Sequence, residues 1–348
     1  MSNEYLFFGS FLLFVIIILA IDLGIFNKKD QTISFRRAAI MSMIWVSFAI
    51  SFYFILLTNG ELLHGITDNQ QLTQISKTYL HHINLNVNDF VGSLKIYKQN
   101  LALEFITGYV IEYALSVDNI FVMVLIFTAF NVNEKYYHRV LFWGIIGAVL
   151  MRFVFIFVGA SLITSFTWIL YIFGAFLVYT GTMLFFNKEE EKIDPKNHKI
   201  VKLASKFFSV LPGFDGNNFF VKKNGKTFVT SLFLVLLIVE FTDLIFAVDS
   251  IPAIFAVTKD PFIVFFSNIF AILGLRSMFF LLVNIIHKFH YLKFGLAFLL
   301  IFIGIKMLAH NWLIIIGFTT MHSLLVILTI LTVSIVASLL FPIKNSVK

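Results

Sequence analysis

The chain contains no cysteine. Disulfides, thiolate metal centres and cysteine nucleophiles are therefore excluded, while the redox state of its compartment is left open. Charge is scarce too. Only 13% of the 348 residues are Asp, Glu, Lys or Arg, against about 25% in a soluble domain. So few charges cannot cover a water-facing surface, which excludes soluble enzymes, disordered tails and nucleic-acid binders. HExxH, GxSxG and glycine-rich phosphate loops are also missing, so the chain does not read as an enzyme. What is abundant is apolar: 59% of residues are hydrophobic and the mean hydropathy is +0.92. The composition describes an all-α polytopic membrane protein whose solvent is the lipid bilayer. No resident cofactor is expected, and the sequence leaves protein partners unknown.

A spanning helix needs about 20 mostly apolar residues. Nine segments qualify: 4–26, 38–58, 102–128, 140–163, 167–186, 228–257, 262–286, 291–309 and 318–341. The first lacks a basic n-region, follows Glu4 and precedes no small-x-small site, so it reads as a span and not a cleaved signal peptide. Basic residues cluster on alternate connections: Lys28, Lys29, Arg36 and Arg37, then Lys135 and Arg139, nine lysines within 187–227, Lys288 and Lys293, and Lys344 and Lys348. The other side holds only Lys77, Lys95, Lys98 and Lys259 outside the spans. By the positive-inside rule the N-terminus is outside and the C-terminus is in the cytoplasm.

Two connections are long. In the inner one, 187–227, Ile200, Leu203, Ala204, Phe207 and Phe208 recur at helical spacing among Lys199, Lys202 and Lys206, the pattern of a short helix lying on the membrane surface. Residues 219–229 around Asn224-Gly225 predict a hairpin with a type I′ turn. The outer connection, 59–101, is polar and contains His64, His81 and His82. Incidental histidines on a surface loop are the plainer reading, and metal collection the alternative.

Charges inside the apolar spans are the informative residues. Span 1 has Asp22, span 3 has Glu112 and Asp118 followed by Asn119, and span 6 has Glu240, Asp243 and Asp249 followed by Ser250. Span 4 has Arg152 and span 7 has Arg276. An ionised side chain at mid-bilayer costs about 2.5–3.5 kcal/mol, so six acids facing lipid would cost on the order of 15–20 kcal/mol. They must face a bundle interior or an aqueous cavity. Two arginines leave four negative charges unbalanced, or three if Lys306 joins them. Protonation or a bound cation closes the gap. Carboxylates, the Asn119 and Asn268 amides, the Ser116 and Ser250 hydroxyls and freed carbonyls are all oxygen ligands, which suit Mg²⁺, Mn²⁺ or Ca²⁺ over Zn²⁺ or Cu⁺. Pro252 has no N–H to offer the Val248 carbonyl, and a helix break there would turn that carbonyl toward a cavity.

Spans 3–5 and 6–8 keep the same order of unusual residues. Val117-Asp118 matches Val248-Asp249, and Glu112 and Asp243 stand six residues earlier. Arg152 and Arg276 each occupy the next span, and a Phe-Gly start with a later glycine marks the third. Three spans is an odd number, so the second copy enters from the opposite side and the pair forms an inverted repeat. The chain then divides into two leading spans (1–58), the outer loop (59–101), the first repeat (102–186), the inner loop (187–227), the second repeat (228–310) and a last span with its tail (311–348).

The stretches EFITGYVIEYALSVDNIFVMVLIF, GAVLMRFVFIF, VEFTDLIFAVDSIPAIFAV and KFGLAFLLIFIGIKML resemble the TerC family of integral membrane proteins, over essentially 102–310 and more loosely at AIDLGIF around Asp22. The resemblance implies manganese export from the cytoplasm across a bacterial inner membrane, with a link to tellurium resistance in some members. Carried onto this chain, it implies ion binding at Asp22, Glu112, Asp118, Asn119, Glu240, Asp243 and Asp249; Arg152 and Arg276 are expected, from their own burial in the spans, to pair with these carboxylates when the site is empty. Alternating access and proton exchange would drive such a transporter. A membrane scaffold that assists insertion or metal loading of other proteins is the alternative. The outer loop is longer than the family pattern.

Overall fold

The computed structural model describes residues 2–26, 34–81, 83, 85–86, 88–166, 168–186, 199–211, 213–223, 225–283 and 291–341. Each of the nine predicted spans is a helix. In chain order these are α1 (Ser2–Phe26), α2 (Phe35–Asn59), α5 (Phe90–Ala129), α6 (Glu134–Ser165), α7 (Ile169–Phe186), α9 (Ser231–Phe255), α10 (Pro261–Val283), α11 (Leu292–Leu308) and α13 (Thr320–Leu340). Seven of them are long and apolar enough to cross a membrane. The other two are α1, whose apolar stretch is Leu6–Ile21, and α11, with 17 residues. Short helices α3 (Glu61–His64), α4 (Asn69–Thr78), α8 (Lys199–Phe207) and α12 (His310–Ile315) fill the connections.

α10 lies at the centre. It is apolar on all sides and buried almost end to end, from Ile263 to Leu282, as expected of a helix enclosed by other helices. It packs on α2, α5 and α6, while α5 also meets α9 and α6 meets α9. α7 and α11 pair closely. A Cβ added to Gly174 would come within 3.0 Å of the Gly304 carbonyl, and one on Gly304 within 2.6 Å of the Gly174 carbonyl. Small residues that let backbones touch are the usual means of helix association in lipid, where no hydrophobic drive exists. The outer faces carry exposed side chains such as Phe54, Leu150, Tyr179 and Leu325, suited to acyl chains.

Two local expectations change. The predicted loop 59–101 is largely helical, because Asp89 caps α5 by accepting from the Gly92 N–H at 2.9 Å. α5 therefore begins at Phe90 and runs 40 residues, longer than the ~20 a bilayer needs. α9 does not break at Pro252. The proline lies in the last turn before Phe255, so little of the helix depends on its missing N–H, and the amides of Ala256 and Thr258 close the end on Pro252 and Ile254 carbonyls at 3.0 and 3.1 Å. The hairpin is present: β2 (Phe220–Lys223) pairs antiparallel with β3 (Lys226–Val229), and β1 (Ser209–Val210) joins β3 in parallel. Gly225 has φ +75°, as a two-residue hairpin turn requires; Asn224 lies outside the described residues. α8 exposes Leu203 and Phe207, the apolar face expected of an interfacial helix. The basic residues at 28–29, 188–196, 288 and 344–348 lie outside the described residues.

Candidate metal-ion site

The intramembrane acids fall into two groups. The first surrounds Arg152 of α6, which is buried and donates from Nη1 to Glu112 Oε1 of α5 and to Asn268 Oδ1 of α10. One cation thus joins three helices. Asn268 is held in turn by its own Nδ2, which donates to the Val264 carbonyl at 2.9 Å. Asp243 of α9 is buried within electrostatic reach of both Arg152 and Glu112. Glu240 stands three residues earlier on α9, and its carboxylate lies over Gly147 of α6, in the space a side chain there would fill. The second oxygen of Glu112, Oε2, is buried with no hydrogen-bond partner.

The second group is a cavity of about 30 Å³ lined by Asp118 and Asn119 of α5, Asp249 of α9, and Leu115, Leu184, Phe246, Leu296 and Leu300. Its volume suits one or two waters, or an ion with part of its shell. Asp249 Oδ1 and the neighbouring Ser250 Oγ are buried without partners. Of these two residues only Asp249 lines the cavity, and an orphaned acceptor there marks a place where a ligand can contribute the missing interaction.

Among the described residues, no three His, Asp or Glu side chains converge closely enough to hold a metal ion. The oxygen donors are therefore distributed over two neighbouring places. Arg276 of α10 is buried and faces His138 of α6, Nη1 to Nε2 at 3.3 Å. Asp22 belongs to α1, but its side chain lies outside the described residues.

The sequence did not reveal a third polar cluster. His64 and His81 are each only 7% exposed, so they are not the surface histidines expected of the outer loop. His64 Nδ1 donates to Glu4 Oε1 at 2.7 Å, and its Nε2 to Asp260 Oδ2 at 2.9 Å. With both nitrogens donating to carboxylates, the ring is an imidazolium. Burial works against that charge, but Asp260 and Glu4 outweigh it and hold the pKa up to about 9. His81 Nδ1 faces Glu104 Oε1 at 3.0 Å. Burial again opposes its charge, Glu104 outweighs it, and the net shift is upward. His82 lies outside the described residues. Glu104, Asp260 and Glu4 are the unforeseen members, far from both histidines in sequence.

Comparison with known proteins decides the family. The model of the "Integral membrane protein TerC family" matches residues 97–346. The chain belongs to this family of integral membrane proteins. Relatives within the family's reach cover nearly the whole chain. An uncharacterized membrane protein of Myxococcus xanthus is 43% identical over 95% of this chain and 91% of its own length. One of Rickettsia bellii is 39% identical over 95% and 97%. A protein of Escherichia coli K12, named Alx and described as a candidate membrane-bound redox modulator, is 41% identical over 87% and 85%. No solved structure matches the chain. The family match takes in both acidic helices, and the relatives' lengths leave no large domain of theirs unaccounted for.

Proposed function

We propose that this TerC-family protein is a secondary transporter that exports Mn²⁺ from the cytoplasm of a bacterial cell by alternating access. The observation that carries the reading is the cavity shared by Asp118, Asn119 and Asp249, with Asp249 Oδ1 lacking a partner inside the bundle. Two carboxylates and an amide supply hard oxygen ligands to a divalent ion, and waters complete the shell. Arg152 holds Glu112 when no ion is present, and Asp243 and Glu240 line the neighbouring stretch of α9. The inward-negative potential opposes cation exit by about 2.3 kcal/mol per charge per 100 mV. Export therefore requires a driving ion, and proton exchange on the same carboxylates supplies it.

Packing supports an inverted repeat of α5–α7 and α9–α11. α5 meets α10 as α9 meets α6, α5 meets α11 as α9 meets α7, and α7 meets α11 across reciprocal glycines. Exchange of the two halves maps these pairs onto one another, as a pseudo-two-fold axis would, although the small α9–α10, α9–α11 and α6–α7 contacts are not matched at the same strength. We place the connection 59–101 outside the cell, following the positive-inside reading.

The Alx description favours a second reading, redox modulation. With no cysteine, this chain has no thiol to exchange, so a redox effect would follow from moving a redox-active metal. The test is a growth assay under high manganese in cells lacking their own exporters. The chain should protect, and Asp118→Asn and Asp249→Asn at equal membrane level should not. Equal protection by the variants would reject the site.

A further inference from the structure

Glu104 is a hub. Its Oε1 accepts from His81 at 3.0 Å and from Asn100 Nδ2 at 2.7 Å, and its Oε2 accepts from Thr258 Oγ1 at 2.6 Å. Thr258 belongs to the turn between α9 and α10, so this last bond joins α5 to the other acid-bearing helix. Asp260 closes the same turn. Its Oδ1 accepts from the Phe262 N–H at 2.9 Å, capping α10, while Oδ2 holds His64. Lys259, between them, donates to the Phe255 carbonyl. His64 and Glu104 thus grip one turn directly, and Glu4 and His81 back them from two further segments. His64, His81, Glu104, Thr258 and Asp260 are buried, and Glu4 is partly exposed.

We propose that this cluster is the extracytoplasmic gate of the transport path, a charged latch centred on His64 and Glu104 that must release the α9–α10 turn before the ion can leave. The inference rests on the transporter reading above. Three observations carry it. First, position: Glu104 precedes Glu112 on α5 by ~12 Å at ~1.5 Å per residue, and the gripped turn begins ~9 Å beyond Asp249 on the same measure. Second, chemistry: a chain with 45 phenylalanines had apolar residues in plenty for a permanent seal. Paired charges instead recover hydration when they part, so separation in water is far less costly than separation in a dry core. Third, spare capacity: His81 Nε2 and the Tyr97 hydroxyl are buried with no partner, and water entering an open gate would satisfy both.

The absence of cysteine makes single-cysteine reporters clean. Ser267→Cys places a thiol between latch and ion site, since Ser267 is fully buried where α10 meets Gly108 of α5. Thr78→Cys is an exposed control on the outer connection. Ala38→Cys is a buried control in the other core cluster. Intact cells expressing the full chain are treated with a membrane-impermeant methanethiosulfonate. In the otherwise unchanged chain, the thiol at 78 labels and those at 267 and 38 are protected. Adding His64→Gln or Glu104→Gln should accelerate labelling at 267 at least about tenfold, with position 38 still protected. Unchanged protection at 267 in both backgrounds overturns the gate. Equal labelling at 38 and 267 assigns the cluster to folding alone and overturns it as well. A silent control at 78 places this face in the cytoplasm and rejects an extracytoplasmic gate. No manganese enters the assay, so failure of the manganese reading leaves these outcomes distinct.

Discussion

Asp118 and Asp249, from two different helices, line the same small cavity, and Asp249 Oδ1 finds no hydrogen-bond partner there. A carboxylate kept in such a place weakens the fold. Asp249→Asn and Asp118→Asn should therefore retain or raise the thermal midpoint in detergent while abolishing export, the usual trade of stability against function. A midpoint that falls by more than a few degrees would give these residues a structural role instead.

Arg152 behaves in the opposite way. It is the buried cation that joins Glu112 and Asn268, and removing one partner of a buried pair costs about 3–5 kcal/mol. Arg152→Met should cut stability by that order, and Glu112→Gln added to it should restore most of the loss. Denaturation of the two variants in one detergent measures the difference. Additive losses would mean that the two side chains do not act as a pair.

The acids and Arg152 were legible in the sequence because a charge inside an apolar run has few bland explanations. The span positions were legible because the bilayer sets their length. The latch was not. Its histidines meet Glu4, Glu104 and Asp260 only after α1, α3, α5 and the α9–α10 turn have packed, and no periodicity links residues so far apart. Pro252 misled for a different reason: so near the end of α9, its missing N–H costs the helix little.

Protonation of His64 gives a pH signature. Its ordinary value is 6.5 and its folded value about 9, so its contribution is complete below 6.5 and lost as pH rises through about 9. Its size is on the order of 3 kcal/mol. Lys259 acts oppositely: burial first, then Lys306, lower it to about 7 despite Glu104, so it adds stability as pH rises above 7. The difference between the natural chain and His64→Gln cancels that effect. The stability gap should be largest near pH 6 and shrink as pH approaches 10. A constant gap would show that His64 is neutral in the fold.

The α7–α11 contact admits no added side chain. Gly304→Val would drive its Cβ into the Gly174 carbonyl, 2.6 Å away, and the Val178 side chain at 2.8 Å. Overpacking of this kind costs about 1–3 kcal/mol. The variant should show a lower melting midpoint, whereas Gly9→Val, with nothing within 4 Å, should not.

Export requires Mn²⁺ to move through the carboxylate cavity. Its most direct test is manganese uptake into inside-out vesicles, with a pH-sensitive dye in the lumen. Mn²⁺ should accumulate with loss of luminal protons, and Asp118→Asn and Asp249→Asn should each abolish both. Vesicles that take up no more manganese than empty ones, or variants that take up as much as the natural chain, would contradict it.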